Sequence, residues 1–380
     1  MRLLRVAAVG MLVAGPVAAQ SSQFGVRGLG LLQRPISVRA TGTGGSFGLF
    51  DPESALNPAS IGQVSFLNAN FQTVQGWRRS ESPAGAASAR DNRYPGVFVA
   101  GPIGGTRLSM SVSASGLADR NFVLGSRDTL ILRGVPVEAF DTLASQGGLS
   151  DLRVAVAWRQ SRAVQWGVGL HLITGSNRIQ SKREFTDSSY AGATERFTYS
   201  FLGFGASAGV MVRLGRSVTL GGMVRTDDRL RTERDSLSIG SIALPVTVSG
   251  GARIQLGDRL LLAGSALFRN WSVANSDLIV QGGTGSVNST EISAGLEFLT
   301  DAKRAFNRPI RLGLRRGTLP FPLRPGDKTT ETAASLGTSF RFLADRAGFD
   351  LALQRVWRKG GAGFEETATL LTFGITVRQP

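Results

Sequence analysis

Apolar and small polar side chains alternate with a period of two over segment after segment of this chain, and that periodicity confines it to β-structure. Leu108, Met110, Val112 and Ala114 interleave with Ser109, Ser111, Ser113 and Ser115. Leu152, Val154, Val156 and Trp158 alternate with Arg153, Ala155, Ala157 and Arg159. Trp166, Val168, Leu170 and Leu172 alternate with Gln165, Gly167, Gly169 and His171, and Leu371, Phe373, Ile375 and Val377 with Thr372, Gly374, Thr376 and Arg378. An amphipathic helix repeats every 3.6 residues and cannot produce this spacing.

Grouped by turn signals, the pattern predicts about fourteen strands, near 63–73, 94–103, 105–117, 150–160, 163–176, 195–214, 217–226, 244–256, 259–272, 290–299, 308–317, 331–342, 348–358 and 365–378. Short connections, such as Ile103-Gly104, Ser161-Arg162, Gly215-Arg216 and Gly257-Asp258, alternate with long ones near 74–93, 118–149, 177–194, 227–243, 273–289 and 318–330. A soluble double sandwich or β-solenoid would alternate too. Strands of about ten residues or more, however, fit a tilted membrane crossing better than the usual five or six of soluble sheets. The polar faces carry Ser, Thr, Gly and Arg, as a crowded aqueous lumen requires, and no repeat of solenoid length is present. The expected fold is therefore all-β: an antiparallel transmembrane barrel of about fourteen strands, with short turns and both ends on the periplasmic side.

An export signal agrees. Residues 1–19 begin with Arg2 and Arg5, continue through the apolar run Val6–Val13, break at Gly15-Pro16 and end in Val17-Ala18-Ala19. The run is too short to span a bilayer, and a cleaved signal peptide is the reading that fits. The expected organisation is a signal peptide over 1–19, an N-terminal arm over 20–62 and a barrel over 63–380, located in the outer membrane of a Gram-negative-type bacterium.

The chain carries no cysteine and one histidine, so neither a disulfide framework nor a metal site is expected, and no cofactor motif appears. The formal charge of +16 invites a nucleic-acid reading. The basic residues are dispersed along the chain, though, and an exported protein rarely meets nucleic acid, so that partner is not expected. Coding bias accounts for arginine in place of lysine; arginines at the membrane rim pairing with the phosphates of outer-membrane lipid are the functional alternative.

Catalysis has little to work with. His171 falls on a predicted lumen face, bonded to neighbours or water, and no nucleophile elbow or phosphate-binding loop accompanies it; an enzyme is not expected. Arg153, Arg159, Arg225, Arg253 and Arg341, with Asp151 and Asp350, face inward and form a candidate lumen ladder. Such a ladder favours anionic solutes in an open channel, or else ties the wall and bonds the carbonyls of a plug. Trp158, Trp166, Trp271 and Trp357 stand near predicted strand ends, where an aromatic girdle belongs.

The arm breaks the alternation. It is rich in Gly and small residues, and Asp51-Pro52-Glu53 predicts a short helix through Ser54, Ala55 and Leu56. Arg39-Ala40, Gly42, Gly44-Gly45, Phe47, Asp51, Ser54-Ala55-Leu56 and Asn57-Pro58-Ala59 resemble the opening of the FadL-like long-chain fatty-acid transporter superfamily, which also takes in PorV-like barrels. Leu244-Pro245, Gly257-Asp258, Asn270-Trp271-Ser272, Ile310-Arg311-Leu312-Gly313 and Phe373-Gly374 continue the resemblance in the family's order. Ser46 stands where the family usually has Ala, and the chain ends in Pro380 without a terminal aromatic residue. The resemblance implies that the arm is a plug, with Gly44, Gly45, Phe47, Asn57, Pro58 and Ala59 as its motif. It implies a transporter for hydrophobic or amphipathic small molecules; the alternative is a PorV-like scaffold partnering a secretion or surface-attachment system. The two separate on the lining under the long loops, where an apolar pocket favours transport and a polar, fully plugged lumen favours the scaffold. The polar, basic loops (Arg178, Lys182, Arg183, Arg229, Arg231, Arg234) weaken the fatty-acid version. The family's ligand contacts fall where no residue-level match exists, so no ligand residues are assigned.

Overall fold

The computed structural model describes residues 22–83, 85–300, 308–343, 346–361 and 363–379. The expected signal peptide lies outside the described residues.

Among these residues a closed antiparallel barrel of fourteen wall strands forms, β1 Leu67–Ser82, β2 Gly85–Pro102, β3 Leu108–Asp119, β4 Val135–Arg159, β5 Val164–Phe185, β6 Ala193–Leu214, β7 Val218–Asp227, β8 Thr247–Leu256, β9 Leu260–Arg269, β10 Ser289–Phe298, β11 Ile310–Leu319, β12 Thr329–Phe342, β13 Ala347–Lys359 and β14 Glu365–Gln379. Each wall strand pairs with its neighbours, and β14 closes the ring on β1, from Gln379 opposite Leu67 to Glu365 opposite Glu81. The alternation works as the sequence predicts. On β3 the four serines Ser109, Ser111, Ser113 and Ser115 are buried towards the lumen, while Met110 and Val112 are 44% and 48% exposed outside.

Several strands run further than the sequence reading placed them. β4 spans 25 residues and β5 spans 22, and with β6, 22 residues long and read nearly so from the sequence, they stand well beyond a membrane crossing. Two stretches read as long loops are strands instead: Phe122–Leu132 pairs with the far end of β4, and Leu230–Arg234 turns onto Leu237–Ile242. The span 74–93, also read as a loop, is the continuing β1–β2 hairpin. Beyond the membrane both strand faces meet water, so the apolar half of the alternation fades while the backbone pairing continues.

Residues 22–64 lie inside the ring. Ser22 and Gln23 sit at the long-loop end, where the Ser22 hydroxyl donates to Glu366 and the Gln23 amide donates to the carbonyls of Glu81 and Glu365. Leu31 and Leu32 pair with Asp119 and Ala118 at the top of β3. A one-turn helix, α1 Val38–Gly42, packs on β11–β14, and the 3-10 turn Pro58–Gln63 packs on β4, β5 and β6 near the short-turn end. The arm thus crosses the lumen from one end to the other before entering β1.

Candidate functional site

The arm is held by wall positions that lack side chains. A Cβ on Gly313 would lie 2.0 Å from the Thr43 carbonyl carbon, one on Gly167 2.3 Å from that of Pro58, and one on Gly209 2.0 Å from Asn57 Oδ1. Glycine is the residue that permits so close a backbone approach. Gly44 and Gly45 both take positive φ, turning the chain back after α1. Phe47 is fully buried, with the Arg39 guanidinium 5.3 Å from its ring centre. Arg39 in turn makes a bidentate pair with Glu297 of β10 at 2.7 and 2.8 Å.

Asn57-Pro58-Ala59 forms a capped turn. Asn57 Oδ1 accepts from the Ala59 N–H at 3.0 Å, and Asn57 Nδ2 donates to the Leu49 carbonyl at 3.0 Å and the Val210 carbonyl at 3.5 Å. Pro58 takes the first helical position, where its missing N–H costs nothing. The helix expected after Asp51 is not there. Asp51 does accept from the Glu53 N–H at 3.1 Å, but the Ala55 N–H goes to the Pro35 carbonyl at 2.7 Å. Cross-arm bonds replace the i to i+4 bonds that a helix needs.

The five candidate ladder arginines all face the lumen side but do not form one ladder. Arg225 pairs with Asp151 at 2.5 Å and Asp227 at 2.8 Å. Arg153 is 2% exposed on the same wall, within 3.5 Å of the Ser111 hydroxyl. Arg159 donates to the Gly62 carbonyl of the arm at 2.9 Å, and Arg253 lies 5.6 Å from the Phe50 ring centre. Arg341 sits 3.3 Å from Asp350 on the opposite side.

The longer charge network runs over β10–β14 and β1–β2, through Asp350, which the sequence reading selected, and through others that it did not. Arg311 joins Glu297 and Asp350 at 2.6 and 3.1 Å. Arg315 and Arg358 share Glu331, Arg358 also bonds Glu366, and Arg78 pairs with Asp91 at 3.0 Å. Strand parity is the signal that carries them, since Glu297, Arg311, Glu331, Asp350, Arg358 and Glu366 all fall on inward positions. Pairing of this kind offsets the cost of burying these charges.

His171 stands between Asp151, 2.9 Å from Nδ1, and Ser207, whose Oγ is 2.9 Å from Nε2. The order resembles a hydrolytic triad. Ser207 is only 6% exposed, however, and the adjoining cavity is lined by His171 without it.

That cavity, about 50 Å³, lies between the arm and the long-loop half of the wall. Leu32, Pro35, Ala55 and Leu56 of the arm form one side, with Leu117, Met223, Leu244, Pro245 and Trp271 across from them. His171, Arg225, Asp227 and Arg269 supply a polar edge. Around it lies an apolar cluster that includes Leu149, Ile173, Phe201, Leu230, Ile242, Leu278 and Phe321. Trp271, expected in the girdle, is 3% exposed and packs edge-on against Phe321 at 5.0 Å. It follows the end of β9 in a 3-10 turn that folds back over the mouth, out of reach of lipid. Trp158, Trp166 and Trp357 are 40–48% exposed on the outer surface, as expected of a girdle.

A closed, even-stranded ring with an apolar outer band, a polar packed lumen and a segment threaded through it has the architecture of an outer-membrane barrel. More narrowly, it has the fold of the FadL-like outer-membrane barrels. It is similar to a Pseudomonas aeruginosa FadL homologue at a TM-score of 0.61 and 14% identity, over 91% of this chain and 99% of that one. It is similar to the Pseudomonas putida toluene transporter TodX at 0.58 and 10%, over 91% and 99%. The monoaromatic hydrocarbon channel CymD matches at 0.55 and 13%, over 93% and 99%. No family model and no curated protein matches the sequence. Nothing in these neighbours supports the PorV-like scaffold reading or a secretion-system partner.

Proposed function

We propose that this chain is an outer-membrane transporter for hydrophobic or amphipathic small molecules, with the N-terminal arm as its plug and the long loops facing outward. One observation carries the reading: the apolar cavity under the long loops, one wall of which is the arm itself. A scaffold has no need of such a lining. The polar edge at Arg225 and Arg269 suits a ligand with a small polar or anionic end, and Trp271 and Leu244 suit its apolar body. The titles of the structural neighbours, a toluene transporter and a monoaromatic hydrocarbon channel, name substrates of that class for those proteins.

At about 50 Å³ the cavity is far below the roughly 300–1,000 Å³ of ligand pockets. With the arm docked the site is closed, so admission of a ligand requires Leu32, Pro35, Ala55 and Leu56 to draw back. The remaining plug contacts, at Gly44, Gly45, Phe47, Asn57, Pro58 and Ala59, hold the segment that moves. Detergent-purified protein is tested for saturable binding of a fluorescent fatty acid, with a monoaromatic hydrocarbon as competitor. Wild type binds, and a variant lacking residues 22–56 binds with changed affinity. Absence of saturable binding by heat-modifiable, folded protein overturns the proposal.

A further inference from the structure

The outer surface of the barrel divides its charges differently from the lumen. On β11–β14 and β1–β2 the inward arginines Arg311, Arg315, Arg358 and Arg78 each meet a carboxylate. The same strands carry Arg316, Arg355, Arg79 and Arg90 on the outward positions, all exposed. Among the described residues no carboxylate stands against Arg316, Arg355 or Arg90. Arg79 meets only Glu81, at 3.0 Å, with both side chains more than half exposed.

Register brings these residues to one level. Arg316 lies opposite Thr332, Thr332 opposite Trp357, Trp357 opposite Thr367, and Thr367 opposite Arg79. The next row towards the short-turn end runs Leu314, Ala334, Arg355, Thr369, Trp77 and Arg90. The row beyond turns apolar, with Leu312, Leu336, Leu353 and Leu371 in register. It continues so down β13 through Leu351, Phe349 and Ala347. From Ala347 to Trp357 is ten residues, about 33 Å along the strand and about 25 Å along the membrane normal at a tilt near 40°, which is the height of a barrel's apolar band. Trp77 and Trp357, 42% and 40% exposed, therefore mark the interface at the long-loop end. The four guanidiniums interleave with these rings and with the hydroxyls of Thr332, Thr367 and Thr369.

A guanidinium at that depth is costly unless its head reaches an anion or water. Neighbouring strands lie about 4.8 Å apart. Arg316, Arg355 and Arg79 are thus separated by steps of two strands and one row, close enough for long side chains to converge on one headgroup. The planar fork matches a phosphate bidentately, and the threonine hydroxyls add donors beside it.

We infer that this face, centred on Arg316, Arg355, Arg79 and Arg90 with Trp77 and Trp357, is a binding surface for a phosphorylated lipid of the outer leaflet. The inference rests on the outer-membrane placement proposed above and is independent of what the lumen carries; membrane fractionation with heat-modifiable migration tests that placement separately. The test titrates folded protein in neutral detergent with bisphosphorylated lipid A, read by native mass spectrometry. Wild type retains the lipid. Arg316→Gln/Arg355→Gln binds on the order of ten-fold more weakly, as does wild type given lipid A stripped of its phosphates. Arg178→Gln/Arg196→Gln, on the extension of β5 and β6, leaves binding unchanged, and millimolar inorganic phosphate does not displace the lipid. Equal affinity of the first double variant and wild type, or of phosphorylated and dephosphorylated lipid, overturns the inference. Displacement by inorganic phosphate also overturns it, because the site would then take a free anion.

Discussion

Glu53 ties the arm to the seam where the barrel closes. Its carboxylate accepts from Asn68 Nδ2 at 2.9 Å and Asn70 Nδ2 at 3.2 Å on β1, with Thr376 Oγ1 at 3.5 Å and Arg378 Nη2 at 3.9 Å on β14. Burial, with Asp51 and Asp350 nearby, pushes its pKa up from 4.5 to about 7, against the opposing effect of Asn68 and Arg341. Released into water, the same group returns to its ordinary value. The docked arm therefore holds a proton that the released arm gives up between those two values. Docking is at full strength below about pH 4.5, weakens as pH rises to about 7, and is constant above that. Between pH 5 and pH 8 the loss is on the order of a few kcal/mol, a shift of some tens-fold in the opening equilibrium. Hydrogen–deuterium exchange of amides 38–64 in detergent-purified protein, corrected for the intrinsic pH dependence of exchange, measures that equilibrium. Glu53→Gln keeps the acceptor and cannot ionise, so its corrected opening is flat over the same range. An opening constant in wild type that does not change with pH, or a slope that survives in Glu53→Gln, refutes the reasoning.

Three further outcomes follow from the same contacts. Asn57→Ala removes the cap and leaves the Ala59 N–H and the Leu49 carbonyl unpaired in a buried site, costing about 1–3 kcal/mol of arm docking, read by the same exchange experiment. Gly313→Ala drives a methyl group into the Thr43 backbone and displaces the arm, raising exchange over residues 38–50, while heat-modifiable migration shows the barrel itself intact. Trp271→Ala removes the ring packed on Phe321 and enlarges the cavity; fatty-acid binding tightens or speeds up, and thermal stability falls by about 3–5 kcal/mol. Unchanged binding in that variant places the ligand elsewhere in the lumen.

Much of the wall was legible from residue alternation alone. From β6 to β14 the strand ends fall close to the predicted ones, because one face meets lipid and the other a packed lumen, so the pattern of residues is forced. Legibility stops where lipid stops. The outer continuations of β1, β2, β4 and β5 pair by backbone, with water on both faces, and leave little pattern. The arm was legible as a segment but not in its local shape. The bonds that turn Asp51–Leu56 away from a helix come from Pro35 and Ser37, about seventeen residues earlier in the chain. Trp271 was misplaced for a related reason: a tryptophan just past a strand end serves a girdle or a mouth equally well, and only the fold of the following turn decides. The lumen network on β10–β14 was readable in principle from parity, but parity gives a facing direction without a partner.

An even number of wall strands returns the end of a barrel to the face it started from. The threaded arm adds one more crossing, so Ser22 lies at the long-loop mouth while Gln379 lies at the short-turn rim. Seen as a path, the described chain traverses the barrel fifteen times and finishes on the opposite side from where it begins. During assembly the segment at Ser22 must either climb the full height of the pore or wait while the strands close around it. An epitope joined ahead of Ser22 would then be read from the opposite face to one joined after Gln379.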